Sequence, residues 1–329
     1  MQTLKCNYGV TIFSLTNEIL AADLSPLQIL DQFLSKGVTK IIELDGPQHF
    51  RNFPNVAEQE ISDLQEVLDR HSAHVVQLGI YVDRAVAEGE FLTEDQVVDE
   101  LAKQIRVARQ IGCKFVRLGL GFATETEIAR ILPVLAENQI QLVLEVQGTT
   151  LPNDDSVMSH VELLNKPEFS SVGLLFDMSL CMNILPKSYL SALADSGFSE
   201  EQIEKAISTW ESGSIELVKR FVFGELMRVS PNTFATSLAL TLATRMGHTK
   251  IDDWQHVMPL VKAVHLKFWD TDDENAALTG PIGELVSHLG AQNFHGPLIC
   301  EWGGHEWSPE GAASTPVIEQ HKALFESVF

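Results

Sequence analysis

Short apolar runs return along this chain at a spacing of roughly one strand, one loop and one helix. Eight of them begin near residues 8, 40, 76, 115, 142, 173, 263 and 298. They are too short for helices and rich in Val, Ile, Leu and Phe, which marks strands buried on both faces. The predicted strands β1 to β8 cover 8–15, 41–45, 74–83, 115–121, 141–147, 172–177, 263–270 and 297–302. Amphipathic stretches separate most of them. Ser25 before Pro26 reads as an N-cap with proline at the first helical position, and Gly37 stops that helix. Thr93 with Gln96 forms a capping-box signature for a long helix that ends at Gly112. Further helices are predicted at 57–71, 126–139, 282–290 and 317–329.

Parallel strands need crossover helices, so this alternation predicts a (β/α)8 TIM barrel, an α/β fold formed as a single domain over 1–329. One gap is far too long for a single unit. Residues 180–259 carry several helical patterns and are read as a helical insertion after strand 6, on the catalytic face, serving as a lid or an oligomer contact.

Charge narrows the function. Lys and Arg number 23 against 45 Asp and Glu, a formal net charge of -22. Such a surface repels phosphate backbones, and no basic cluster is visible, so nucleic-acid binding is not expected. No apolar run is long enough to cross a bilayer, and β1 starts too soon after Met1 for a signal peptide. A cytoplasmic protein is expected, and a homo-oligomer. The four cysteines form no CxxC pair and are expected to be buried free thiols.

The chemistry gathers at strand ends. Glu145, Asp177, His265 and Glu301 lie at or near the C-terminal ends of β5, β6, β7 and β8, the face where barrels of this kind carry their sites. Three converging carboxylates repel one another in a partly dry site, and a cation resolves that conflict. Mixed carboxylate and imidazole ligation suits one divalent ion, Mn²⁺ first, with Mg²⁺, Co²⁺, Fe²⁺ or Zn²⁺ as alternatives. Lys267 follows His265 by two and points to the same side, an acid/base candidate with a pKa expected to be depressed, or else a salt-bridge partner of Asp270 or Glu43. His49, Asp83, Arg117, Gln147 and Trp269 are candidate substrate contacts around the same mouth. Trp302, Trp307 and His305 lie near it.

The order Glu, Asp, His, Glu on successive late strands resembles the xylose-isomerase-like barrel superfamily of sugar isomerases and epimerases. A closer likeness is to the metal-binding alpha subunits of C-glycoside deglycosidases. It rests on YGVTIFSLTNE, IIELDGPQHFRNFPN, VDR at 82–84, FVRLGLG and VHLKFWDTDDE. The resemblance implies that Glu145 and Glu301 both bind the metal and move a proton, and that Asp177 and His265 complete the ligand set. Three departures stand out: Leu180 and Thr271 replace a His and an Arg usual in the epimerases, and Gln147 replaces a His base of the deglycosidases. An amide cannot exchange a proton in that role.

The expected function is a metal-dependent isomerase or epimerase that enolises a sugar or keto-sugar by carboxylate-mediated proton transfer. The alternatives are a deglycosidase alpha subunit performing β-elimination on a 3-keto-glycoside, with a small beta subunit as partner, or a non-catalytic barrel subunit.

Overall fold

In the computed structural model, which describes residues 2–308 and 313–329, the predicted strands close on themselves. They are β1 (Tyr8–Thr11), β2 (Ile41–Asp45), β3 (His74–Gly79), β4 (Phe115–Gly119), β5 (Gln141–Val146), β6 (Val172–Asp177), β7 (Val261–Phe268) and β8 (Leu298–Trp302). Neighbours pair in parallel all the way round, and β1 meets β8 through Tyr8 opposite Leu298. Closure leaves the barrel no free edge.

Local signals behave as the sequence predicts at the helices α1 (Pro26–Ser35), α2 (Glu58–His71), α3 (Glu94–Gln110) and α4 (Glu125–Asn138). Ser25 and Gln28 cap α1 reciprocally, as do Thr93 and Gln96 on α3 and Thr124 and Glu127 on α4.

Several bounds differ. β1 stops at Thr11, whose hydroxyl takes the Phe13 N–H at 3.4 Å and starts the 3-10 turn Ile12–Leu15. β3 ends at Gly79, and a two-stranded hairpin, Ala85–Ala87 with Glu90–Phe91, follows it on the way to α3. A helix α5 (Asp155–Leu164), not among the predicted helices, joins β5 to β6. Cys6 is exposed, against expectation, because it lies in the turn before β1; the other three cysteines are buried and free.

Between β6 and β7 the chain runs through α6 (Lys187–Asp195), α7 (Glu200–Glu211), α8 (Ile215–Gly224) and α9 (Thr233–Thr244). These helices share a hydrophobic cluster separate from the barrel's, built on Tyr189, Trp210, Phe221 and Leu242, and Trp269 from the end of β7 joins it. The last helices are α10 (Thr279–Ala291) and α11 (Ser314–Ser327).

The barrel interior is layered. Ile41, Val76, Phe115, Val143, Leu175, Ala263 and Ile299 form one apolar cluster drawn from seven strands. Two residues further along six of these strands stand Glu43, Arg117, Glu145, Asp177, His265 and Glu301, all buried. Side chains two apart share a face, so an apolar floor supports a polar layer toward the C-terminal mouth. On β3 the register passes from Ile42–Val75 to Glu43–Gln77, and this bulge turns Gln77 inward in place of the expected next residue.

Candidate metal centre

Glu145, Asp177, His265 and Glu301 each offer one ligand atom, and these atoms all lie within 4.8 Å of one another. Strand register produces the meeting: Asp177 is directly opposite His265, and Ile299, on the same face as Glu301, is opposite it on the other side.

Each of the four side chains is held by one atom and turns another toward the common point. Glu145 Oε2 accepts from Arg117 Nη1 at 3.0 Å, leaving Oε1 inward. Asp177 Oδ1 accepts from the Ser179 N–H at 2.6 Å, leaving Oδ2 without a hydrogen-bond partner although it is buried. Glu301 Oε1 accepts from Lys267 Nζ at 2.5 Å, leaving Oε2 inward. His265 Nε2 meets Glu43 Oε2 at 2.7 Å; an ionised carboxylate only accepts, so Nε2 carries a hydrogen, and it is Nδ1 that would give up its proton to present a lone pair to an ion. Nδ1 is buried 2.8 Å from Glu145 Oε1 and 2.6 Å from Glu301 Oε2, yet neither contact has hydrogen-bond geometry. Atoms that crowd together without donating to one another are what a shared cation requires. The donor set therefore fits a divalent ion bound by three carboxylates and one imidazole.

Electrostatics agree. Five buried carboxylates, Glu43, Asp45, Glu145, Asp177 and Glu301, surround two permanent cations, Arg117 and Lys267. Burial works against the charge on Glu145, but Arg117 and His265 outweigh it and hold its carboxyl below the usual range. Glu301 is likewise opposed by burial and held well below that range by Lys267 and His265. Asp177 is pushed up by burial and by the charges of Glu301 and Glu145, which outweigh the opposing pull of His265 and Lys267. Burial lowers His265, and Glu43, Glu301 and Glu145 more than reverse that. A dication at the common point would supply further positive charge beside Asp177.

Arg117 is spent inside the protein. Its Nε donates to Glu43 at 2.7 Å, its Nη1 to Glu145, and its Nη2 to the Tyr81 hydroxyl at 3.2 Å, with Asp45 3.5 Å away. It positions Glu145 rather than offering its fork to a ligand. Lys267 grips Glu301, not Asp270 or Glu43, and lies 5.1 Å from the Phe13 ring centroid and 5.5 Å from that of Trp269. Burial lowers its pKa, but Glu301, Asp177 and Glu306 leave it raised, opposite to the depression expected.

The other expected substrate contacts are dispersed. His49 packs edge-on against Phe50 at 4.7 Å and lines a cleft with Ser25, Glu60 and Asp63. Asp83 is exposed, and its Oδ1 accepts the Ala85 N–H at 3.1 Å, which serves the loop. Gln147 is exposed past the end of β5. Trp269 is 3% exposed, with its ring parallel to that of Trp307 at 6.3 Å.

Sequence reasoning missed the layer behind the ligands. Glu43 is held by His265, Arg117 and Gln77, whose Nε2 donates to it at 2.8 Å. The Tyr81 hydroxyl donates to Asp45. The alternation in IIELD already places Glu43 and Asp45 on one face, which is the signal that could have found them. A carboxylate behind a ligating histidine fixes its tautomer and raises its basicity. Glu43→Gln, which keeps the volume, is expected to weaken divalent-metal affinity about 10–100-fold in a chelator competition titration.

The family described as Xylose isomerase-like TIM barrel matches residues 39–321. The chain is 24% identical over 324 residues to a C-glycoside deglycosidase alpha subunit of Arthrobacter globiformis, covering 97% of this chain and 92% of the relative. It is 22% identical to a 3'-dehydrocarminate deglycosidase alpha subunit of Microbacterium sp, covering 96% and 93%. Among solved structures, a 3-keto-D-glucoside 4-epimerase from E. coli aligns over 98% of this chain and 99% of its own, with 11% identity and a TM-score of 0.52. A D-allulose 3-epimerase from Methylomonas sp. aligns over 98% of each chain, with 10% identity and a TM-score of 0.54.

Proposed function

This chain belongs to the xylose isomerase-like TIM barrel family, and we propose that it is a divalent-metal-dependent enzyme that moves a proton on a sugar carbon next to a carbonyl. The observation that carries this reading is the shared pattern of the tetrad, in which every member has one atom fixed and another turned to the same point. Glu145, Asp177, His265 and Glu301 would hold the ion, with Mn²⁺ the first choice for this donor set. When bound, the ion supplies a Lewis acid that polarises the carbonyl and acidifies the neighbouring C–H.

The protein's own groups supply the proton carriers. Glu145 and Glu301 are both held ionised at rest, so either carboxylate is ready to accept a proton. They stand on β5 and β8, separated by β6 and β7, and so approach a bound sugar from different sides. One takes the C–H proton; the C–H bonding pair becomes a C=C bond and the carbonyl π pair moves onto oxygen, which gives an enolate. Return of a proton to the other face of the same carbon gives an epimer; passage of the neighbouring hydroxyl's proton to the old carbonyl oxygen, with protonation of the old carbonyl carbon, gives an isomer. Arg117 and Lys267 hold the two carboxylates in place while their charge changes.

A second outcome of the same first step is favoured by the relatives, which match over nearly the whole chain and are named as deglycosidase alpha subunits. If the substrate is a 3-keto-glycoside, the enolate expels the β-substituent with its bonding pair, and a small second subunit would belong to the working enzyme. The missing base at Gln147 leaves that proton to Glu145 or Glu301.

Incubation of the Mn²⁺-loaded protein in deuterium oxide with D-fructose and with a methyl 3-keto-glucoside tests both outcomes. Deuterium is expected at the carbon beside the carbonyl of at least one sugar, and released methanol would mark elimination. Exchange with neither sugar would contradict the reading.

A further inference from the structure

After β8 the chain turns through Gly303 into the 3-10 turn Gly304–Glu306, which carries His305. A Cβ at Gly303 would stand 2.9 Å from Lys267 Cε, so this turn lies directly against the lysine that grips Glu301. The His305 ring meets Phe13 edge-on at 4.7 Å, and Lys267 Nζ is 5.1 Å from the centroid of the same Phe13 ring. His305 and Lys267 thus flank one aromatic ring at the C-terminal mouth of the barrel, on the β8 side of the metal centre.

The hydrogen bonding of His305 fixes what it presents. Its Nδ1 lies 3.0 Å from the Trp302 carbonyl oxygen. A carbonyl only accepts, so Nδ1 is the N–H and the neutral ring keeps its lone pair on Nε2. Nε2 makes no hydrogen bond to any described residue, and the side chain is half-buried. Burial, and after it the Lys267 charge, brings the pKa down to about 4, so the lone pair persists through the neutral range. Glu301 and Arg245 are the other charges that act on it.

We propose that His305 Nε2 is a specificity-determining contact that accepts a hydrogen bond from a sugar hydroxyl held beside Glu301 and Lys267. This rests on the keto-sugar reading above and deepens it. Lys267 brings only donors and neutral His305 only an acceptor at Nε2, and both stand against the Phe13 ring. A carbonyl oxygen next to a hydroxyl, the pair of functions that an α-hydroxy ketone presents, matches that order. Gln147 cannot take this part, since it is exposed beyond β5 and separated from Glu301 by β6 and β7. A sugar whose hydroxyl is methylated or missing leaves Nε2 without a donor, and the site selects against it.

Two measurements decide the matter. Nitrogen-15 NMR of the histidine rings is expected to show His305 as the Nδ1–H tautomer; an Nε2–H tautomer would overturn the inference whatever the substrate. Calorimetry on the Mn²⁺-loaded protein then compares wild type, His305→Phe and His305→Gln with D-fructose and methyl 3-keto-glucoside. Phenylalanine keeps a flat ring against Phe13 but removes the acceptor, and is expected to weaken binding about tenfold. Glutamine restores an acceptor and is expected to recover most of it, which a merely structural role would not do. Equal binding by a folded His305→Phe protein overturns the inference and leaves the keto-sugar reading standing. Binding of neither sugar by wild type overturns both.

Discussion

Glu301→Gln is expected to slow solvent exchange into the substrate by about 10²–10⁴-fold while leaving the fold intact. The amide fills the same volume and still accepts from Lys267 through its oxygen, so the barrel keeps its packing. It cannot carry a proton, and it lowers the negative charge that holds the ion. Glu145→Gln should behave similarly, and the double variant should lose little beyond either single one, because the two groups act in one proton-transfer sequence. The check is the rate of deuterium incorporation at saturating Mn²⁺, beside a circular dichroism melt of each variant. Full activity in Glu301→Gln would remove this residue from the mechanism.

The largest effect on stability is expected at Arg117. Its guanidinium is buried among Glu43, Asp45 and Glu145, and removing one member of such a network leaves uncompensated charge. Arg117→Met should cost about 3–5 kcal/mol in a denaturant melt of the metal-free protein at neutral pH. The pH dependence has a definite sign. Glu145 is held below its ordinary value in the folded state, so its pairing stabilises above the ordinary carboxylate range. That stabilisation is lost as the pH falls through the lowered value. The gap between wild type and variant should therefore narrow in acid. A gap independent of pH would show that Arg117 acts through packing alone.

The barrel and its ligands were legible for one reason. In a closed parallel barrel the interior layers repeat every two residues, so buried charge at a strand's end has few places to go. Val143 and Glu145, Leu175 and Asp177, Ala263 and His265, and Ile299 and Glu301 write that layering directly into the sequence. The contacts around the ligands were harder to read, because partner choice depends on tertiary distance. Nothing in the chain states that Arg117 answers three carboxylates, or that Lys267 turns to Glu301 across the β7–β8 register. The loop residues were least legible. Asp83 and Gln147 sit at strand ends in the sequence, but β3 stops at Gly79 and β5 at Val146, which carries both outward. The bulge that turns Gln77 inward shifts every later side chain of β3 to the other face, an event that alternation cannot announce.

Metal content tests the central claim most directly. The purified chain is stripped with chelator, exposed to Mn²⁺ and in parallel to Mg²⁺, Co²⁺, Fe²⁺ and Zn²⁺, desalted, and analysed by mass spectrometry beside Asp177→Asn/His265→Gln. Wild type is expected to retain one divalent ion per chain and the double variant essentially none. A wild type that retains no ion, or a double variant that retains as much as wild type, would contradict the account.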